Sequence, residues 1–231
     1  MPSSNIELLK QVAKRLGPLL HEVVFVGGCT TELFITDEAA AEVRPTFDVD
    51  VIAEITSYAD YATFSERLRA LGFREDTSRG APLCRWLIDE MKLDVMPIEE
   101  RILGFTNRWY RAAMDAAQDT ELQGGLRIRV VRAPYFLATK LEPFRGRGKG
   151  DYANSHDLED LLTVIDGREA IVQEIADTPA LRSYIAEQFR ALLETPAFLD
   201  AMPGYLLPDV SSQGRVPILR GRIQQMAAGP R

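Results

Sequence analysis

The sequence predicts an α/β (α+β) fold, with a mixed sheet in its N-terminal half and helices in its C-terminal half. Short β-branched runs alternate with amphipathic helical segments as far as residue 133, a pattern typical of a mixed sheet with helices packed on it. From about Pro134 onward, helical periodicity continues and no strand pattern follows. We therefore divide the chain into an α/β core over residues 1–133, a helical domain over 134–210 and a basic, flexible tail over 211–231.

Capping signals and apolar runs define the first elements. A capping box, S-N-I-E at residues 4–7, starts an amphipathic helix that ends near Gly17. The fully apolar run Val23–Val26 predicts a short buried strand. Two glycines at 27–28 interrupt the run, and residues 30–35 are predicted to form a short helix.

The next elements complete the predicted sheet. The stretch TFDVDVIAEI, residues 46–55, alternates apolar and polar positions and predicts a strand. A helix follows, capped by Thr56 or Ser57 and closed by Gly72. Residues 83–88 and 92–96 predict two further strands joined by a tight Asp-Glu turn.

Composition limits the classes of protein to consider. The chain has 231 residues, 46% of them hydrophobic, which is enough to bury a core. A net charge of −7 and a pI near 5.0 argue against a dedicated nucleic-acid coat protein, although a local basic groove remains compatible with them. Two cysteines without a C-x-x-C motif, and the absence of a signal peptide or a membrane span, lead us to expect a soluble, cytoplasmic protein.

Two aspartates in the predicted strand over residues 46–55 are the first candidate site residues. Asp48 and Asp50 project from the same strand face, about 6.7 Å apart at roughly 3.3 Å per residue. The apolar residues that alternate with them, and that we expect in the core, are Phe47, Val49, Val51 and Ala53. The two carboxylates repel by about 2–3 kcal/mol at an effective dielectric of about 20, which a bound cation would relieve. A solvated strand face is the alternative, and a divalent ion such as Mg²⁺ is the functional interpretation.

A third acid and a glycine bend extend this candidate site. Asp94 lies on a later strand, where it is either a third metal ligand, a general base or a surface residue paired with a nearby lysine. Gly27 and Gly28 join a strand to a helix, where backbone N–H groups can hold a phosphate. Thr30 and Thr31 add hydroxyl donors, although such a bend also serves as a plain chain reversal.

The helical half contains a second set of candidates. Lys140 lies among apolar residues of a predicted helix, and Asp157 and Asp160 lie near the start of the next one, where acids are also favoured by the helix dipole. The loop between these helices carries three basic residues separated by glycines, namely Arg145, Arg147 and Lys149. Such a loop suits a polyanionic substrate, and it is equally common as a solvated connection.

Taken together, these motifs resemble the nucleotidyltransferase superfamily of polymerase beta type. Gly27-Gly28, a short helix, RPTFDVDV and the later KLDVM are similar to its hG[GS] motif, its D-h-D pair and its third acid. The stretch LATKLEPFRGRGKGD…SHDLEDLL looks like the lysine and D-x-x-D motifs of the AbiEii/MenT-like abortive-infection toxin nucleotidyltransferases. The resemblance extends from about Val23 to Asp166.

The resemblance implies a role for each matching residue. Asp48 and Asp50 would be the metal aspartates, with Asp94 as a third catalytic or metal-binding acid. Lys140 would face the nucleotide phosphates, and Asp157, with Asp160 beside it, would be the late catalytic aspartate. The nucleotide would also be held by Gly27, Gly28 and Thr30. Many of these toxins have Ser at the position of Gly28, so a hydroxyl contact would move to Thr30 or Thr31.

The activity implied by the resemblance is transfer of a nucleoside monophosphate from a nucleoside triphosphate (NTP) to a hydroxyl, dependent on Mg²⁺ or alternatively Mn²⁺. The acceptor would be the 3′ end of tRNA, contacted by Arg145, Arg147, Lys149 and the basic tail, and an antitoxin protein would be a further partner. One alternative is a nucleotidyltransferase that modifies a small molecule such as an antibiotic. Another is a non-enzymatic module that binds a nucleotide or a partner.

Overall fold

The computed structural model describes residues 4–147 and 150–229 of the chain. These residues divide into two compact units. The first unit comprises Met1–Glu32 and Arg44–Arg132, and the second comprises Leu33–Val43 and Ala133–Arg231. The predicted α/β (α+β) fold class is confirmed, since the first unit contains a mixed sheet and the second is helical.

The first unit is built on a seven-stranded sheet with the order β3-β4-β5-β2-β1-β7-β6. Its strands are β1 Val23–Val26, β2 Asp48–Ala53, β3 Arg74–Glu75, β4 Arg85–Ile88, β5 Met91–Pro97, β6 Gln118–Leu122 and β7 Leu126–Val130. Strand β2 lies at the centre, antiparallel to β1 and parallel to β5. The β4–β5 hairpin has the two-residue turn that the sequence predicted.

Short helices accompany this sheet. They are α1 Ser4–Leu16, α2 Tyr58–Ala70, α3 Glu100–Leu103 and α4 Tyr110–Asp115, and a 3₁₀ segment covers Gly17–Glu22. Ser57 caps α2, its hydroxyl accepting from the backbone N–H of Asp60 at 3.1 Å. A second 3₁₀ segment, Gly28–Phe34, follows β1 in the place of the predicted short helix.

The apolar positions of β2 are buried with one exception. Val49 and Val51 are fully buried and Ala53 nearly so, as the alternation predicted. Phe47 was predicted to lie in the core with them, and this was wrong: its side chain is 79% exposed. The strand begins only at Asp48, so the pleat that alternates side chains between two faces does not extend to Phe47.

Seven helices are described in the second unit, α5 Ala133–Arg147, α6 His156–Gly167, α7 Ile171–Ala176, α8 Pro179–Leu193, α9 Pro196–Ala201, α10 Val210–Gln213 and α11 Val216–Ala228. A short 3₁₀ segment covers Met202–Tyr205. Among the described helices of the chain, none has both the length and the apolar character needed to span a membrane.

A segment from the N-terminal half of the sequence belongs to this helical unit. The backbone N–H groups of Thr36 and Asp37 both donate to the carbonyl of Gly167, at 2.8 and 3.0 Å. Arg168 donates to the carbonyl of Phe34 at 2.9 Å. A Cβ on Gly167 would lie 2.8 Å from Ile35, so a glycine is needed where the segment meets the end of α6. Residues 33–43 are therefore an integral part of the helical unit.

The prediction of a flexible tail over 211–231 is corrected for the residues described there. Helix α11 buries four apolar side chains, those of Leu219, Ile223, Met226 and Ala227. Arg222 donates to the carbonyls of Ile165 and Asp166 near the end of α6, where backbone acceptors lack helical partners. The apolar residues recur at helical spacing, which accounts for the ordered helix despite the basic composition.

Arg215 lies at the start of α11 and satisfies two acids. Its Nε donates to both carboxylate oxygens of Asp166, at 3.0 and 2.9 Å, and its Nη2 donates to Asp37 at 2.7 Å. Asp166 is a buried side chain. Removal of Arg215 would leave this carboxylate without its cation.

We expect Arg215→Met to lower the free energy of unfolding by about 3 kcal/mol, because breaking a buried ion pair leaves an uncompensated charge. Denaturant unfolding followed by circular dichroism measures the change. Arg220→Met is the matched control, since Arg220 is an exposed arginine of the same helix. Equal stability of the two variants would contradict the structural role assigned to Arg215.

Candidate functional site

The central feature of the first unit is a row of residues that crosses four neighbouring strands. Strand register places Val26 opposite Asp50, Asp50 opposite Asp94, and Asp94 opposite Arg85. Two carboxylates thus occupy adjacent positions on parallel strands, where like charges destabilise a sheet. The two predicted acids Asp50 and Asp94 are therefore brought together, with an arginine beside them.

Arg85 supplies the cation that this acidic face requires. Its Nε and Nη2 donate to the two oxygens of Asp94, at 2.8 and 2.7 Å. Nη2 also donates to Oδ2 of Asp48 at 2.8 Å. The side chain of Asp94 is only 6% exposed. Hydrogen bonding to Asp94, against the opposing effect of burial, raises the pKa of Arg85 above its usual value, so the guanidinium stays charged.

Sequence reasoning missed Arg85, although the sequence contained a signal for it. A two-residue turn between Ile88 and Met91 fixes the register of the hairpin. Counting back from that turn places Arg85 directly opposite Asp94. From the sequence alone, a neighbouring lysine is the expected partner of Asp94 instead.

Asp50 lies against the glycine bend. A Cβ placed on Gly27 would be 1.9 Å from Oδ2 of Asp50, and Gly27 has a φ of +80°. Only glycine meets both requirements without strain. Asp48, by contrast, has a side chain that is 40% exposed. Asp48, which lies two residues before Asp50 on β2, thus remains partly open to a ligand.

The glycine bend itself is buried. The four candidate residues of the bend are all buried, namely Gly27, Gly28, Thr30 and Thr31. The hydroxyl of Thr30 donates to the carbonyl of Gly27 at 2.8 Å, as does its backbone N–H at 3.1 Å. The Thr31 hydroxyl is buried without a hydrogen-bond partner among the residues that the structure describes. In this conformation the bend is closed by Thr30 and offers little surface to a phosphate.

Cys84 is a buried thiol beside the acidic row. Burial, followed by the charges of Asp94 and Asp50, raises the pKa of the Cys84 thiol to about 12. The shift reflects both an apolar environment and a negative potential. Cys84 is therefore a protonated core residue at neutral pH, and its thiolate is not available as a nucleophile.

The acids can be tested for their fit to a divalent ion. Within residues 4–147 and 150–229, no group of three or more His, Cys, Asp or Glu side chains is arranged to hold a metal. Mg²⁺ bound with a nucleotide needs fewer protein ligands, since one or two carboxylates and the substrate phosphates suffice. Two carboxylates of this kind, those of Asp48 and Asp50, lie on β2, although Oδ2 of Asp48, like both oxygens of Asp94, already accepts a hydrogen bond from Arg85.

The second unit brings together three other predicted residues. Nζ of Lys140 donates to Oδ2 of Asp160 at 2.7 Å and to Oδ1 of Asp157 at 3.3 Å. The Asp160 side chain is 1% exposed, and Lys140 supplies the positive charge that offsets this buried carboxylate. The lysine and D-x-x-D motifs, separate in sequence, thus form one ion cluster between α5 and α6.

The predicted loop for Arg145, Arg147 and Lys149 begins too early, because α5 extends to Arg147. Arg145 is exposed at the end of α5. Lys149 and the side chain of Arg147 lie outside the described residues. Two arginines of the predicted RNA-binding tail, Arg215 and Arg222, are engaged within the helical unit as described above.

No protein-family model matches this chain, and no curated protein matches it either. The resemblance to nucleotidyltransferases therefore stays a prediction made from its motifs.

We expect Gly27→Ala to lower the free energy of unfolding by at least about 3 kcal/mol. The positive φ alone costs an L-residue roughly 1–2 kcal/mol, and the overlap with the Asp50 carboxylate adds to it. Gly104→Ala is the control, because Gly104 has a φ of +78° and open space around the added Cβ. Urea unfolding measures the loss of stability in each variant. Gly104→Ala reports the cost of the positive φ alone, so an equal loss in Gly27→Ala would contradict the close approach of Asp50.

We also expect Arg85→Gln to lower stability by about 3 kcal/mol in the presence of a chelator, because Asp94 then loses its cation. Millimolar Mg²⁺ should raise the melting temperature of this variant more than that of the wild type, since the exposed acids regain a counter-ion. Arg15→Gln, which breaks an exposed ion pair with Asp89, should change stability by less than about 1 kcal/mol. An Arg85→Gln protein insensitive to Mg²⁺ would show that these acids do not form a divalent-ion site.

Proposed function

We propose that this chain is an Mg²⁺-dependent nucleotidyltransferase that moves a nucleoside monophosphate from an NTP to a hydroxyl acceptor. The observation that carries the proposal is the pairing of Asp48 and Asp50 on β2 with a glycine bend at the end of the adjacent antiparallel β1. Asp94 on the adjacent parallel β5 adds the third acid of the motif set. The tRNA 3′ end as acceptor, and an antitoxin as partner, come from the resemblance alone.

In this proposal each described side chain has a separate task. Asp48 and Asp50 would hold Mg²⁺, which when bound neutralises charge on the triphosphate and on the departing pyrophosphate. Asp94 orients Arg85, because both of its oxygens accept from that guanidinium. In the second unit, Lys140 donates to Asp160 at 2.7 Å, and its assignment to nucleotide phosphates comes from the motif resemblance alone. The acceptor oxygen forms a bond to the α-phosphorus while the bond to pyrophosphate breaks.

A second candidate function is a non-enzymatic nucleotide- or partner-binding module. The observation that favours it is the ion pairing of Arg85 with Asp94 and Asp48, which satisfies part of the acidic face without a metal. A buried glycine bend points the same way. Only an assay of transfer separates the two functions.

The decisive experiment follows transfer of label from each α-labelled triphosphate to total tRNA, with a panel of aminoglycosides as alternative acceptors. We expect Asp48→Asn to lower transfer by at least about a hundredfold, equivalent to about 3 kcal/mol of transition-state stabilisation. Asp119→Asn, which changes an exposed carboxylate of β6, is the matched control. Absence of Mg²⁺-dependent transfer by the wild type to any acceptor would favour the binding module.

The role of Lys140 needs a different variant. A simple Lys140→Ala change would leave the buried Asp160 carboxylate without its cation. The double variant Lys140→Met with Asp160→Leu removes both charges and keeps a packed interior. Loss of transfer with retained melting temperature in this variant would support a phosphate-binding role for Lys140. Wild-type transfer would reject it.

A further inference from the structure

The second unit contains a cavity that the proposed chemistry does not use. It has a volume of about 250 Å³ and lies between the C-terminal part of α5, residues 150–152 and α8. Its apolar wall includes Leu141, Phe144 and Leu192, and its polar lining includes Arg145, Tyr152 and Gln188. The volume is just below the roughly 300–1,000 Å³ of drug-sized ligand pockets, so it suits a fragment the size of one aromatic base.

Gln188 is the most informative residue of this cavity. It lies within α8, is 3% exposed and lines the cavity. Among the described residues, no hydrogen-bond partner is found for its side-chain amide. The amide atoms of Gln188 are not fully buried, so they remain accessible from the cavity and can pair with a ligand or an ordered water. The amide presents a donor and an acceptor side by side, the pattern that complements the edge of a nucleobase.

Aromatic rings line the same space. The rings of Phe144 and Tyr152 meet edge to face, with centroids 5.5 Å apart. The ring of Tyr152 also lies near the ring of Phe198, with centroids 6.4 Å apart, and this second contact helps to hold the orientation of Tyr152. A flat ligand can stack on such rings, and stacking on an aromatic side chain is worth about 1–3 kcal/mol per base.

Arg145 provides a positive charge at the rim of the cavity. It lies one turn beyond Leu141 on the cavity-facing side of α5 and is exposed to solvent. No ion pair to it is found in the described part of the chain. A guanidinium binds phosphate through two parallel hydrogen bonds, so a cation at the rim of an aromatic cavity selects an anionic group attached to a flat ring.

We propose that this cavity binds one nucleotide unit, with its base between Tyr152 and the amide of Gln188 and its phosphate at Arg145. The unit is either a free mononucleotide or an unpaired nucleotide of an RNA strand, since both present the same base and phosphate. The inference does not need the transfer reaction, because it concerns binding alone. The cavity is a nucleotide site in addition to the one proposed for the first unit.

The test is calorimetric titration of the full chain in EDTA with AMP, CMP, GMP and UMP, and in parallel with short single-stranded RNA. We expect saturable binding of at least one probe, weakened at least tenfold by Gln188→Met and by Arg145→Met. Gln123→Met and Arg220→Met are the matched controls, since both change exposed residues and leave the cavity intact. Gln188→Met should leave the melting temperature nearly unchanged, because the side chain of Gln188 makes no hydrogen bond to the described residues that the change would break.

The two sources of the nucleotide give different results. Similar affinity for mononucleotide and RNA supports a free nucleotide, whereas much tighter, salt-dependent RNA binding supports a nucleotide of a strand. No saturable binding of any probe, or binding unchanged by both cavity variants, overturns the proposal. Asp48→Asn should bind as the wild type does, so a failure of transfer chemistry and a failure of this site are distinguishable.

Discussion

The guanidinium of Arg85 lies between the carboxylates of Asp94 and Asp48, and the acidic face of the central sheet depends on this contact. Register alone places Asp50 and Asp94 side by side on parallel strands. A sheet tolerates such neighbours when a cation or a ligand offsets their repulsion. Arg85, on the neighbouring strand β4, supplies this cation, so the acidic face is stable without a bound metal. A divalent ion that binds these acids must therefore compete with the Arg85 guanidinium.

The helical unit likewise offsets buried acids with basic residues of its own. Asp160 and Asp166 are buried acids of α6, and each is paired with a base from a different helix, Lys140 of α5 or Arg215 beside α11. Replacing such pairs with apolar residues is often neutral or stabilising, so their presence argues more for a defined helix arrangement than for added stability. One of these charges, that of Lys140, is the one that the motif resemblance assigns to nucleotide phosphates.

Much of the fold was predictable because local signals agreed with the tertiary structure. The apolar run of β1, the Ser57 cap and the β4–β5 turn all reflect short-range chemistry. The exposure of Phe47, the partner of Asp94 and the packing of α11 depend on register or on distant residues, which local patterns report weakly. The candidate acids were found from their spacing, whereas the Gln188 cavity required helices that are far apart in sequence.

Residues 33–43 have a consequence for synthesis on the ribosome. This segment leaves the exit tunnel early, yet its backbone partners at Gly167 and its ionic partner Arg215 are translated much later. N-terminal regions generally fold first during translation, but the helical unit must wait for the last part of the chain before its early-made segment can dock. A fragment starting at residue 133 would lack that segment altogether, so the unit is encoded by two separated pieces of the gene and a deletion series from the N-terminus would not isolate it.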